Sequence, residues 1–119
     1  MRVAVSALDG DIHSKVDERF GRAVHFIVHD TQTRATEVID NTKNRNALQG
    51  SGIASAELIA GAGATAVITG HLGPKAFAAL NIAGIKGYSG VGMTVHDALE
   101  AFESDALEQL TEPGEAHQA

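Results

Sequence analysis

Apolar residues recur along this chain with two periods, and the switches between them mark out its elements. Val3 and Val5 alternate with Arg2, Ala4 and Ser6, which predicts an opening strand ending near Ala7. A polar stretch from Leu8 to Arg22 follows, too long for a turn. His25 to Asp30 and Arg34 to Asp40, joined by a tight connection at Thr31 to Thr33, read as two further strands of an antiparallel meander. Asn41 to Gly50 is a loop. Ile53, Ala54, Glu57, Leu58 and Ile59 then repeat at helical spacing from a Ser51 cap, until Gly61 and Gly63 stop the helix. Thr65 to Thr69 predicts a buried fourth strand, Pro74 the first turn of a second helix reaching Ala83, Ile85 to Tyr88 a fifth strand, and Thr94 to Phe102 a third helix.

This order predicts one three-layer α/β/α domain over residues 1–110, with a mixed five-stranded sheet in which one strand, the second, runs antiparallel. Residues 111–119 read as a flexible acidic tail. The loops after strands one, three, four and five then emerge at one sheet edge: Leu8–Arg22, Asn41–Gly50, Gly70–Gly73 and Ser89–Met93. Open α/β sheets bind ligands outside the carboxyl ends of their strands, so this edge is the expected site. Lys15, Arg19, Arg22, Lys43, Arg45 and Lys75 gather there against Asp9, Asp11, Asp17 and Glu18.

With 119 residues, of which 44% are hydrophobic, the chain can bury one core and no second. No apolar run is long enough to span a bilayer, and Asp9 interrupts the amino-terminal stretch before a signal core could form, so the expectation is a cytoplasmic protein without membrane contact. Cysteine is absent, which excludes disulfides, thiolate catalysis and cysteine-ligated clusters. The net charge of -6 is carried by Glu100, Glu103, Asp105, Glu108, Glu112 and Glu115, with no base among them. A neutral body with an acidic carboxyl end offers nucleic acid no electrostatic footprint.

Two predicted helices start at the loop edge, at Gly73-Pro74-Lys75 and at Gly90-Val91-Gly92-Met93-Thr94. Free amides and the positive end of a helix dipole favour an anion, and glycine lets it approach the backbone. Gly50-Ser51-Gly52 lacks the third glycine of a dinucleotide fingerprint and follows a loop, so that reading is rejected. His25 and His29 stand four apart on a strand, about 13 Å from one another, and read as sheet-face residues. His96 reads as surface and His117 as tail. His71, directly after the fourth strand, is the candidate metal ligand, and His13 a weaker second. Asp9 has no carboxylate placed to join it, so a metal-dependent hydrolase is poorly supported and no enzyme is expected.

Asp17-Glu18-Arg19-Phe20-Gly21-Arg22-Ala23, Asn41, Gly52-Ile53-Ala54, Gly73-Pro74-Lys75-Ala76-Phe77, Leu80, Gly84-Ile85, Tyr88 and Gly92-Met93-Thr94-Val95 resemble the dinitrogenase iron-molybdenum cofactor biosynthesis family, in order and spacing, over about residues 1–110. The resemblance implies a ribonuclease H-like fold and non-catalytic binding or carriage of an anionic metal-sulfur cluster. The family's small cysteine-free members include the orange-protein branch, with a non-covalent molybdenum-copper sulfide cluster. This chain is similar to that branch, an iron-molybdenum-sulfur precursor being the other cargo the family suggests. The implied pocket draws on Arg19, Phe20, Gly21, Arg22, Lys43, His71, Gly73, Lys75, Gly90, Gly92 and Thr94. An assembly ATPase or a cluster-receiving protein would be the partner. A docking module without a cluster is the alternative.

Overall fold

A computed structural model describes residues 1–114. Glu115 and His117 of the expected tail lie outside the described residues. The elements are β1 (Arg2–Ala7), β2 (His25–Asp30), β3 (Thr36–Asp40), α1 (Thr42–Arg45), α2 (Ser51–Gly61), β4 (Ala64–Thr69), α3 (Pro74–Ile82), β5 (Lys86–Ser89), α4 (Val95–Glu103) and β6 (Gln109–Leu110). One sheet takes the order β3-β2-β1-β4-β5-β6. The three-layer mixed α/β fold is as expected, but the sheet has six strands, not five, and two of them run against the rest. β2 is antiparallel to β1 and β3, and β6 is antiparallel to β5.

Alternation along the strands feeds two cores. On one face Ala4, Phe26, Val28 and Val67 pack beneath Ala56 and Ile59 of α2 and Ala76 and Leu80 of α3. On the other, Val3, Val5, Ile27, Ala66 and Ile68 pack beneath Val95, Ala98 and Leu99 of α4. β1 and β4 pair in parallel at the centre of the sheet. The strand order turns there, opening a crevice at their carboxyl ends.

His29 faces the α4 side, 6% exposed, with neither ring nitrogen hydrogen-bonded among the described residues. Glu103 Oε1 stands 3.9 Å from Nε2, and Arg34 holds the Glu103 carboxylate at 2.9 Å through Oε1 and 2.7 Å through Oε2. Burial, reinforced by the Arg34 charge and opposed by Glu103 and Asp30, holds the imidazole pKa below the usual histidine value. The unfolded chain therefore takes up the proton first as pH falls. The resulting stability is complete above the ordinary histidine pKa and is lost as pH drops through it toward the lowered folded value. The thermal midpoint is expected to fall between pH ~7 and pH ~5, more steeply for wild type than for His29→Leu. Parallel profiles would remove His29 as the source.

Candidate functional site

The crevice at the ends of β1 and β4 holds a cavity of about 300 Å³ lined by Phe20, Gly21, Gly50, Ser51, Gly52, Ile53, His71, Gly73, Pro74, Lys75 and Ala76. Each wall has a structural cause. Asp17, buried at the root of the long loop after β1, accepts hydrogen bonds from the Arg19 N–H at 3.0 Å and the Val24 N–H at 3.2 Å. Its two oxygens also receive Arg19 Nε at 3.0 Å and a second guanidinium nitrogen at 3.1 Å. The Asp17 carbonyl accepts from the Ser6 hydroxyl at 2.6 Å, and the Ser6 oxygen in turn accepts from the Thr69 hydroxyl at 2.8 Å. The loop is thus bolted across the tops of β1 and β4. A Cβ on Gly70 would meet Glu18 Cα at 2.7 Å, so only glycine lets the loop cross there.

Phe20 and Gly21 are then pressed onto the start of α2. A Cβ on Gly21 would lie 2.7 Å from the Gly52 nitrogen, and one on Gly52 would lie 2.9 Å from Ala76 Cβ on α3. Three backbone segments stack with no room for side chains between them. Asn41, also buried, ties the stack down by donating to the Ala23 carbonyl at 3.0 Å and to the Ser55 hydroxyl of α2 at 3.2 Å.

Two helix amino ends consequently open on one cavity. Gly50 precedes α2 and Gly73 precedes α3, and neither offers a side chain to cap the free amides. The first turns of both helices lack acids, leaving their dipoles uncompensated. Lys75 adds a formal positive charge, while Phe20, Ile53, Pro74 and Ala76 supply apolar surface. The His71 imidazole completes one side. Gly114 packs against it so closely that a Cβ there would fall 2.1 Å from the ring, and the Gly114 N–H donates to the Leu72 carbonyl at 2.7 Å.

Among the residues expected at the site, Phe20, Gly21, His71, Gly73 and Lys75 line the cavity together. Gly90, Gly92 and Thr94 instead open α4, which packs on the opposite face. The amides there are spent: Val95 N–H donates to Ser14, His96 N–H to Ile12 and Asp97 N–H to the Thr94 hydroxyl. The Arg19 side chain is held by Asp17, and the Arg19 main chain forms an isolated parallel β-bridge with that of His71. Arg22 donates to the carbonyls of Arg45 at 2.6 Å and Ala47 at 2.7 Å, pinning the loop that leads into α2. Lys43 lies on the exposed face of α1, outside the lining. The sequence missed Gly50, Ser51, Gly52, Ile53, Pro74 and Ala76 as lining residues. The overlooked signal was a glycine pair around a helix start, which a failed dinucleotide fingerprint disguised.

A small anion with an apolar exterior suits this lining, since amides and Lys75 meet charge while Phe20 and Ile53 meet a weakly hydrated surface. Among the described residues, the groups of three potential metal ligands come down to His96, Asp97 and Glu100, so Asp9 has no such set around it. Among those residues, too, no helix is long and apolar enough to cross a membrane.

Residues 1–105 match the family described as dinitrogenase iron-molybdenum cofactor. The apo form of the orange protein from Desulfovibrio gigas superposes with a TM-score of 0.92 at 39% identity, covering 96% of both chains. A Thermotoga protein of the DUF35 family superposes at 0.84 with 34% identity, over 95% of this chain and 96% of that one. An uncharacterised Methanocaldococcus jannaschii protein is 30% identical over 101 residues, spanning 82% of this chain and 85% of its own.

Proposed function

Because the chain belongs to the dinitrogenase iron-molybdenum cofactor family, and so to proteins tied to a metal cofactor, we propose that it binds an anionic metal-sulfur cluster as cargo, without covalent attachment, in the cavity between α2 and α3. The observation that carries this reading is the meeting of two uncapped helix starts on a glycine-lined, lysine-flanked hollow. With no cysteine in the chain, the cluster must bring its own sulfide ligands. The protein supplies amide donors, the Lys75 charge and the His71 imidazole. A molybdenum-copper sulfide is the favoured cargo, an iron-molybdenum-sulfur precursor the second. The role is carriage rather than catalysis, in the cytoplasm, with an assembly ATPase or a receiving protein at either end.

Titrating thiomolybdate with cuprous ion into the full chain under anaerobic conditions is expected to give a visible chromophore that co-elutes with protein on gel filtration. An exposed base contributes under about 1 kcal/mol and a charge-assisted hydrogen bond about 1.5–3. Lys75 is exposed, so Lys75→Ala should weaken uptake by up to about fivefold, and uptake should weaken as salt rises. Salt-independent uptake equal in the variant would sink the electrostatic account. The docking alternative is favoured by one observation, Leu48, 97% exposed on the loop before α2. A chain that takes up no chromophore but loses a partner on Leu48→Ser would establish it.

A further inference from the structure

The loop after β1 also crosses the amino end of α4, on the sheet face away from the cavity. Val95 N–H donates to the Ser14 carbonyl at 2.9 Å and His96 N–H to the Ile12 carbonyl at 2.8 Å. These two bonds fix the position of His13, which lies between their acceptors in sequence. Its ring centroid stands 5.8 Å from that of His96, with the planes inclined by 35°. His96 Nδ1 lies 3.4 Å from Asp97 Oδ1 and 3.7 Å from Glu100 Oε1. One ligand atom from each of His96, Asp97 and Glu100 falls within 4.8 Å of the others.

We propose that His96, Asp97 and Glu100, closed by His13, form a surface site for one borderline divalent transition ion of the Zn²⁺ type. Bonds of about 2.0–2.2 Å from a tetrahedral ion to nitrogen and oxygen place neighbouring donors roughly 3.4 Å apart, the spacing His96 already has to both carboxylates. Two imidazoles select such an ion over Mg²⁺ or Ca²⁺, and two carboxylates balance its charge. A helical histidine-carboxylate pair explains His96 and Glu100 without metal. It gives no reason for a second imidazole, delivered by another segment, beside the same ring. The backbone on both sides of His13 is anchored to α4, which keeps its ring beside that of His96, and rotation of the side chain would have to bring a nitrogen in to join the other three.

The site stands apart from the cluster cavity and does not rest on the reading of that cavity. It implies that metal recovered with the purified protein reports on two places, one for an anion and one for a cation.

The test uses the full chain without thiometallate, titrated with Zn²⁺ calorimetrically and with Co²⁺ by visible absorption. One equivalent is expected, with the intense absorption of tetrahedral Co²⁺. Loss of even an outer partner of a metal site costs about 10–100-fold in affinity. His96→Ala should therefore weaken binding at least tenfold, as should Glu100→Gln and His13→Ala, with thermal midpoints unchanged in the absence of metal. His71→Asn should bind as wild type does. The proposal is overturned by Zn²⁺ binding that survives His96→Ala, by binding that disappears with His71→Asn, by Mg²⁺ competing on equal terms, or by no saturation below about 1 mM.

Discussion

Gly52→Val is expected to abolish practical uptake of the anion, by about two orders of magnitude, while leaving a folded but less stable protein. Gly52 sits in the first turn of α2, and the Cβ of any other residue would stand 2.9 Å from Ala76 Cβ on α3. The two valine methyls extend further into the same space, which Gly21 already crowds from the other side. The amino ends of α2 and α3 must move apart, and overpacking of this kind costs about 1–3 kcal/mol. Recognition suffers more than stability, because a misplacement of about 1 Å in converging polar groups can cost on the order of 100-fold. Gly61→Ala is the control. It lies at the far end of the same helix with open space around it, and should bind normally and gain up to about 0.5 kcal/mol. Thiomolybdate titration beside thermal melts of both variants reads the two effects separately. Wild-type uptake by Gly52→Val would move the binding site elsewhere.

The largest loss of stability is expected at Asp17. Alanine there removes the acceptor for two backbone amides and for both arms of the Arg19 guanidinium. A buried donor left without a partner costs about 1–3 kcal/mol, and the half-exposed Arg19 recovers part of its share from water. The net expectation is about 3 kcal/mol, or a drop in thermal midpoint of roughly 10–15 °C for a domain of this size. Asp17→Asn keeps one carbonyl acceptor and should fall between the two. Chemical denaturation of the three proteins tests the ranking. Equal stability of Asp17→Ala and wild type would mean that the loop is not held through this carboxylate.

Asp17 also shows how far the sequence could be read. Asp17-Glu18-Arg19-Phe20-Gly21-Arg22 drew attention as a block, with its bases taken to face a ligand. In the fold the block is mainly a fastening. Asp17 and Arg19 grip each other, Arg22 reaches two carbonyls of the loop before α2, and Phe20 and Gly21 are what remains for the cavity. A cation's residue type is the same whether it meets a ligand or a main-chain oxygen, so composition could locate the sheet edge but not assign its charges. The strands and helices were legible because Val3 and Val5, or Val95 and Leu99, repeat on one side of a regular element. β6 was not, since two residues, Gln109 and Leu110, are too few to show a period. The partnership of the α2 and α3 starts was equally hidden. It depends on Gly52 meeting Ala76, a tertiary contact between residues twenty-four positions apart.

The central place of β1 separates endurance from responsiveness. From Val3 to Ala7 the strand is wholly buried, with β2 along one edge and β4 along the other. Water reaches such amides only when the whole molecule opens, so they persist for the lifetime of the fold. The cavity walls are fastened to the end of this strand by side chains, Asp17 with Arg19 on one side and Arg22 with Asn41 on another. Side-chain ties of this kind can open locally without exchange of the strand amides beneath them. A guest entering and leaving there would draw nothing from the reserve that keeps the chain folded.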